Sequence, residues 1–347
     1  MNRYLKRDIT ILSVDGGGIR GIIPAMVLRE LEKRIALRKE NRPLCRCFDL
    51  MAGTSTGSII ALGLSAPAEK NSGNKTSNSA YTRDPLLSAQ DMADLYTDRG
   101  REIFPRHIFN QLQTVKQAFT EKYNSGNFYS ILGETLGDRT LQNALTNVLV
   151  TTYDIAGNAP LIMKKRPSAM GRREPDLNFY LRDAIMGSSA APTFFEPVQV
   201  KTVDGNSTHL LVDGSVFAKN PSMCALVEAQ KIFPRAKHFT VLSLGTGEPE
   251  NNFTYQQMRG WGFLEWVLPS KGVPLASIMN DGQAKCVNYQ LQYLSKVSYH
   301  RLDIAITGCS RSMDDASEKN VECLKKRART LILQNDDLLD TLADKLA

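Results

Sequence analysis

The stretch CFDLMAGTSTGSIIALGL, residues 47 to 64, runs from a short apolar segment ending near Ala52, through a tight glycine turn, into a longer apolar segment from about Thr56. A short apolar run bounded by turn signals reads as a buried strand, and a longer one as a helix. The turn between them is GTSTG, Gly53 to Gly57, and it fits the pattern GxSxG. In that pattern the central serine is forced into a strained backbone conformation that exposes its hydroxyl. Small residues two positions away on each side let strand and helix approach one another. Ser55 is therefore the candidate nucleophile and Gly53 and Gly57 its spacers. GxSxG also arises by chance, and only its strand–turn–helix context gives it weight.

The same order occurs once more upstream. Asp8 to Val14 is dense in apolar residues, DGGGIRG follows from Asp15 to Gly21, and Gly21 to about Glu40 has helical spacing in Ile22, Met26, Leu28, Leu31 and Ile35. Two successive strand–loop–helix units predict an α/β fold with a mainly parallel central sheet. Further strands are expected at VLVTTYDI, PLIMKKR, HLLVDGS, FTVLSLGTG and near Val297 to Ala305, with a helix near Tyr180 to Met186. Residues 66 to 84 read as a long exposed loop. Ser88 to about Asn147 reads as helical, with breaks at Pro105 and at YNSGN. No internal repeat or linker divides the chain, so residues 1–347 are expected to form one domain. Its motifs fall within 8–250, and 255–347 is mostly helical.

Composition narrows the class. Of 347 residues, 42% are apolar and 23% charged, which excludes disordered and fibrous chains. The net charge is +7, with basic clusters at Lys164, Lys165, Arg166, Arg172 and Arg173 and at Lys325, Lys326, Arg327 and Arg329. Such clusters either attract anionic partners or form solvated faces. No nucleic-acid-binding module accompanies them, and no nucleic-acid partner is expected. The six cysteines are scattered and read as free, mostly buried thiols. Cys45 and Cys47 have no second Cys/His pair at metal-site spacing, so no metal is expected. Arg3, Lys6 and Arg7 precede only a short apolar run, unlike a signal peptide. No apolar run is long enough to span a bilayer, so a cytoplasmic protein with peripheral membrane contact is expected.

Gly16, Gly18 and Gly21 satisfy the dinucleotide fingerprint GxGxxG. A dinucleotide fold, however, places an acidic residue at the end of the second strand, where this chain has GTSTG. Backbone N–H groups at a glycine loop and a helix start are instead suited to the negative charge that grows on a carbonyl oxygen during acyl transfer. The candidate oxyanion donors are Gly16, Gly17, Gly18 and Thr56, the residue after the serine. Arg20 either orders this loop and reinforces its field or makes a salt bridge at the helix start.

Ser55 also needs a base. Of the four histidines, His107, His209, His238 and His300, none sits in a turn at a strand end, although His238 fits the chain order Ser, Asp, His. Asp213, in LLVDGSVFAKNP, ends an apolar strand and precedes Gly214. Its carboxylate is expected at the sheet's carboxyl edge beside Ser55. A free aspartate near pKa 3.9 is a poor base, so the pocket must be dry enough to raise it. Standing alone, Asp-Gly is equally an ordinary turn.

Taken in order, DGGGIRG (15–21), GTSTG (53–57) and DGS (213–215) resemble the oxyanion loop, nucleophile elbow and dyad aspartate of the patatin-like phospholipases. GSSAAPTFFEP and LSLGTG are similar to that family's flanking runs. The family often has DGG where this chain has Asp213, Gly214 and Ser215. The resemblance implies a three-layer α/β/α fold. In it Ser55 attacks a glycerophospholipid ester, Asp213 accepts its proton, and N–H groups around Gly17 and Gly18 hold the oxyanion, with no cofactor and a phospholipid membrane surface as partner. The opening GIRGIIPAMVLRELEKR further resembles cyclic-nucleotide-activated anti-phage effectors of the CapV type, implying a cyclic-nucleotide activator. Control by an activator, a closed lid or an inactive homo-oligomer is expected. GWGFLEWVLPSKGVPLASIM, with Trp261 and Trp266, reads either as an apolar lid or as core, and Ser317 to Ala347 as a packed surface helix. Two other classes remain open: a non-catalytic storage or interaction protein of this fold, and a dinucleotide-binding oxidoreductase.

Overall fold

A computed structural model describes residues 8–39, 42–70, 80–104, 125–165, 177–192, 195–249, 253–267 and 273–347. The expected break at Pro105, together with His107, Arg166, Arg172, Arg173, Leu268 and the basic residues Arg3, Lys6 and Arg7, lies outside them. The strands are β1 (Asp8–Val14), β2 (Leu50–Thr54), β3 (Pro67–Glu69), β4 (Tyr81–Pro85), β5 (Asn147–Asp154), β6 (Ala159–Lys164), β7 (Val198–Lys201), β8 (Thr208–Asp213), β9 (His238–Leu244) and β10 (Val297–Leu302). One eight-stranded sheet has the order β10-β9-β1-β2-β5-β8-β7, with β6 pairing on β5. From β10 to β5 every pair is parallel; β6, β8 and β7 join antiparallel. The expected fold class is what the structure has.

Strand alternation divides the apolar residues between two cores. Ile9 and Ile11 of β1, Leu50 and Ala52 of β2, and Phe239 and Val241 of β9 face a smaller core with the helix Ser222–Ile232. Leu12, Val14, Met51, Val148, Val150, Leu242 and Leu244 face a larger one. Over that face pack the helices Ile22–Arg38, Thr56–Ser65, Ala89–Asp98 and Leu181–Ser189. Both strand faces are buried, as parallel sheets require.

Several expectations need correction. Residues 66 to 84 are not simply loop, because β3 and β4 pair into a small antiparallel ribbon; 71–79 lie outside the described residues. Ser317 to Ala347 forms two helices, Glu318–Gln334 and Asp336–Leu346. Their apolar stripes, including Leu324, Leu331, Leu339 and Leu342, complete the larger core, so this segment is structural rather than peripheral. Cys309 and Cys323 are not free: they form a disulfide, brought together by the loop between β10 and the helix Glu318–Gln334. Of the remaining cysteines, Cys45 and Cys47 are buried and Cys286 is exposed. Trp261 and Trp266 contact each other edge to face at the surface, and Phe263 and Leu264 between them are 77% and 64% exposed. This segment is therefore not core. Among the described residues no helix is long and apolar enough to cross a membrane.

Candidate active site

The turn after β2 carries the strain that its sequence demands. Ser55 has φ 54° and ψ −123°, a backbone region that costs a non-glycine residue on the order of 1–3 kcal/mol. Two glycines make the turn possible. A Cβ on Gly53 would stand 2.1 Å from the carbonyl oxygen of Gly57, and one on Gly57 would stand 2.1 Å from that of Val14. The elbow is then pinned from below. The Ser55 N–H donates to Ser188 Oγ (2.8 Å), which donates to the Thr151 carbonyl (2.8 Å). Ser58 closes the helix start by donating N–H and Oγ to the Ser55 carbonyl, at 2.8 and 2.6 Å.

Asp213 reaches Ser55 by a route different from the expected one. β8 runs antiparallel to β5, so its C-terminus does not point toward the carboxyl edge of the parallel strands. The strand instead stops early. Asp213 pairs with Thr152, one residue past the Thr54–Thr151 pair, and its side chain lies on the sheet face that Ser55 continues. There the carboxyl hydrogen-bonds the Ser55 side chain and accepts from the Ser215 N–H (2.7 Å) and the Ser215 hydroxyl. Burial raises its pKa to about 6; the bonds from Ser55 and Ser215 work in the opposite direction and only partly offset it.

None of the described histidines can take Asp213's place. His238 begins β9, at the amino edge, roughly 20 Å along the strand from the carboxyl edge, and its Nε2 pairs with Ser298 Oγ at 2.8 Å. His209 is held by Asp154 at 2.8 Å, and His300 lies within β10 opposite Leu242.

On the other side of β2 the glycine loop leaves β1. Gly16 lies against the elbow, since a Cβ there would meet Ser215 Oγ at 2.6 Å and Ser55 Cβ at 3.3 Å. Its N–H donates to the Lys219 carbonyl (3.1 Å), which removes Gly16 from the expected oxyanion donors. Among the described residues the N–H groups of Gly17 and Gly18 have no protein acceptor. Gly18 has φ +59°, with the Met313 carbonyl where a Cβ would be, and Gly17 is packed on Thr246. The loop is thus filled by protein on the side where its glycines lack side chains. Thr56 has its hydroxyl bonded to the Tyr96 hydroxyl.

Arg20 is buried, and its Nε donates to the Gly17 carbonyl at 3.3 Å. It has no ion pair among the described residues, so it orders the loop rather than bridging the helix start. Burial lowers its pKa to about 10. Below it Asp15, 1% exposed, forms a two-pronged pair with Arg301 at 2.9 and 2.7 Å, and Arg301 also holds Asp303 at 2.6 Å. Ser188, Ser215, Lys219, Arg301 and Asp303 were not legible as site residues. Ser188 carried a local signal in the small-residue run GSSAAP and Ser215 one in DGS, while Arg301 meets Asp15 across 286 positions. Among the described residues no group of three His, Cys, Asp or Glu side chains is placed to hold a metal ion.

Residues 12–226 match the Patatin family, described as patatin-like phospholipase. The chain belongs to the patatin-like phospholipase family. Patatin-like protein 2 of Oryza sativa subsp. indica is 32% identical over 96% of this chain and 85% of its own length. Patatin-like protein 2 of Arabidopsis thaliana is 32% identical over 93% and 83%, and patatin-2-Kuras 3 of Solanum tuberosum 32% identical over 93% and 83%. Among solved structures, that of VipD from Legionella pneumophila aligns with 94% of this chain and 67% of that one, at TM-score 0.33 and 11% identity. As a patatin-like protein the chain is a lipid acyl hydrolase.

Proposed function

We propose that this patatin-like protein hydrolyses glycerophospholipid esters through a Ser55–Asp213 dyad. The observation that carries the proposal is the hydrogen bond between Ser55 and a carboxyl that burial has raised to about 6. Such a carboxylate is still ionised near neutral pH, yet is a far better proton acceptor than a free aspartate. Ser55 Oγ bonds to the acyl carbon while its proton passes to Asp213. The developing oxyanion takes the free N–H groups of Gly17 and Gly18 and that of Thr56. The tetrahedral intermediate collapses, the ester C–O bond breaks, and Asp213 returns the proton to the departing lysolipid oxygen. Water, deprotonated by Asp213, then cleaves the acyl-enzyme to fatty acid and free serine.

Docking to a phospholipid surface is part of the same proposal. Phe263, Leu264, Leu275, Ile278 and Met279 are all exposed, and the helix Pro274–Gln292 that carries the last three packs against Ser215–Ala218, just after Asp213. Activation by a cyclic nucleotide is its regulatory half and rests on the likeness of the GIRGIIPAMVLRELEKR opening.

The test is fatty-acid release from mixed phospholipid vesicles by wild type and Ser55→Ala, with and without a panel of cyclic nucleotides. Release by wild type alone, and only with one nucleotide, supports both halves. Release without nucleotide removes the switch. Release by both proteins alike removes Ser55, and release by neither favours a non-catalytic protein of this fold.

A further inference from the structure

The glycine loop has no side chains of its own to hold its shape. Gly16, Gly17 and Gly18 are the residue type with the widest backbone freedom, yet an oxyanion site works only if its N–H groups are fixed before the substrate arrives. The contacts that fix them converge on one residue of β10. Arg301 directs Nη1 and Nη2 to the two carboxylate oxygens of Asp15, the residue before Gly16, at 2.9 and 2.7 Å. Nη1 also donates to Ser243 Oγ of β9 (2.9 Å), and Nη2 to Asp303 (2.6 Å). Asp303 in turn accepts the Gly247 N–H at 3.0 Å, and its carboxyl fills the space beside Gly245 where a Cβ would be. The turn fixed in this way, residues 245–247, presents Thr246. Its Oγ1 donates to the Gly16 carbonyl (2.8 Å), and its side chain packs on Gly17. One guanidinium thus grips the loop twice, through Asp15 and through Thr246.

We propose that Arg301 is a positioning residue for the ester hydrolysis, setting where the N–H groups of Gly17 and Gly18 point; this rests on the Ser55–Asp213 reading and extends it. Arg301 lies outside residues 12–226, the span matched by the family, and β9 and β1 stand between its strand and β2, which leads into Ser55. Its side chain is 13% exposed and spent on protein acceptors, so it acts through the loop and not on the substrate. Lysine cannot replace it. An ammonium is a point charge on a flexible stem and cannot span Asp15, Ser243 and Asp303 from one rigid plane. Without the fork the loop's ends stay bonded, because the Asp15 N–H donates to the Leu244 carbonyl and the Ile19 N–H to that of Met313. The glycines between them are released. A displacement of about 1 Å at a reacting centre costs on the order of a hundredfold in rate.

The experiment measures kcat and KM for p-nitrophenyl butyrate, and inhibition by an alkyl trifluoromethyl ketone, in wild type, Arg301→Lys and Thr246→Val. Ser55 Oγ adds to the ketone carbon as its proton passes to Asp213, and the resulting oxyanion takes the same N–H groups as that of the ester. Arg301→Lys lowers kcat about a hundredfold. Thr246→Val, which keeps the side-chain shape and loses one hydroxyl, lowers it roughly tenfold. In both, KM stays within about threefold, and the ketone Ki rises by the factor that kcat/KM falls, because both report the tetrahedral state. Arg139→Lys controls for loss of a buried guanidinium. Arg139 holds the Pro67 and Leu136 carbonyls beyond the far end of the helix Thr56–Ser65, and its variant keeps the wild-type Ki. A folded Arg301→Lys with kcat within about twofold of wild type overturns the proposal. So does a fall in kcat with the ketone Ki unchanged, the mark of a merely structural role. Where Arg301→Lys does not fold, Thr246→Val decides by the same criteria. A wild type with no rate removes the dyad reading and this proposal with it, whereas an active wild type with unaffected variants removes this proposal alone.

Discussion

Replacing Asp213 by asparagine should stabilise the fold at neutral pH while removing activity. Burial moves this carboxyl from 3.8 to about 6. At 1.36 kcal/mol per pH unit, ionising it in the folded chain costs roughly 3 kcal/mol more than in the unfolded one. The sign follows from proton counts. Below pH 4 both states hold the proton and the cost is absent. Between pH 4 and 6 the folded chain alone holds it, so stability falls as pH rises, and above pH 6 the full cost is present. Asparagine carries no charge, keeps an oxygen for the Ser215 N–H, and escapes this cost. Urea unfolding of wild type and Asp213→Asn at half-unit steps from pH 4 to 8 measures the difference. The variant should gain up to about 3 kcal/mol at pH 8, shrinking toward zero at pH 4. A variant less stable than wild type at pH 8, or a difference flat across the range, would refute burial as the cause of the raised pKa.

Other outcomes follow from packing and charge. Gly57→Ala places a methyl against the Val14 carbonyl at 2.1 Å; it should cost several kcal/mol or prevent folding, measured as soluble yield and melting temperature. Arg301→Met strips Asp15 of its partner and should cost roughly 3 to 5 kcal/mol in urea unfolding. Reducing Cys309–Cys323, which closes a 14-residue separation, should lower stability by about 3 kcal/mol, read as a shift in urea midpoint on adding dithiothreitol that Cys309→Ser no longer shows. Phe263→Ser with Leu264→Ser should weaken sedimentation with phospholipid vesicles while leaving the melting temperature within a degree or two, because both side chains already face solvent.

The elbow was legible in the sequence because its constraints are local: strand, turn and helix lie within residues 47 to 64, and the glycines that permit Ser55's backbone are two positions away. The glycine loop was legible for the same reason, but not which of its N–H groups are free. Gly16 is spent on Lys219, 203 positions later, and nothing in DGGGIRG announces that. Asp213 was found by its strand-end position although the direction of β8 was not, since apolar patterning carries no information on whether a strand pairs parallel or antiparallel. The pairing of Asp15 with Arg301 joins parts of the chain brought together only by the sheet order, and the disulfide depends on the path of the loop after β10. The C-terminal helices looked peripheral because their mixed charge hides a stripe that reaches the larger core.

The measurement that reaches the central claim most directly is the pH dependence of ester kcat/KM in wild type and in a chain with all four histidines replaced by glutamine. If Asp213 alone accepts the serine proton, both proteins show an acidic limb near pH 6. Loss of that limb, or of activity, in a histidine-free chain that melts like wild type would contradict the dyad and return the base to a histidine.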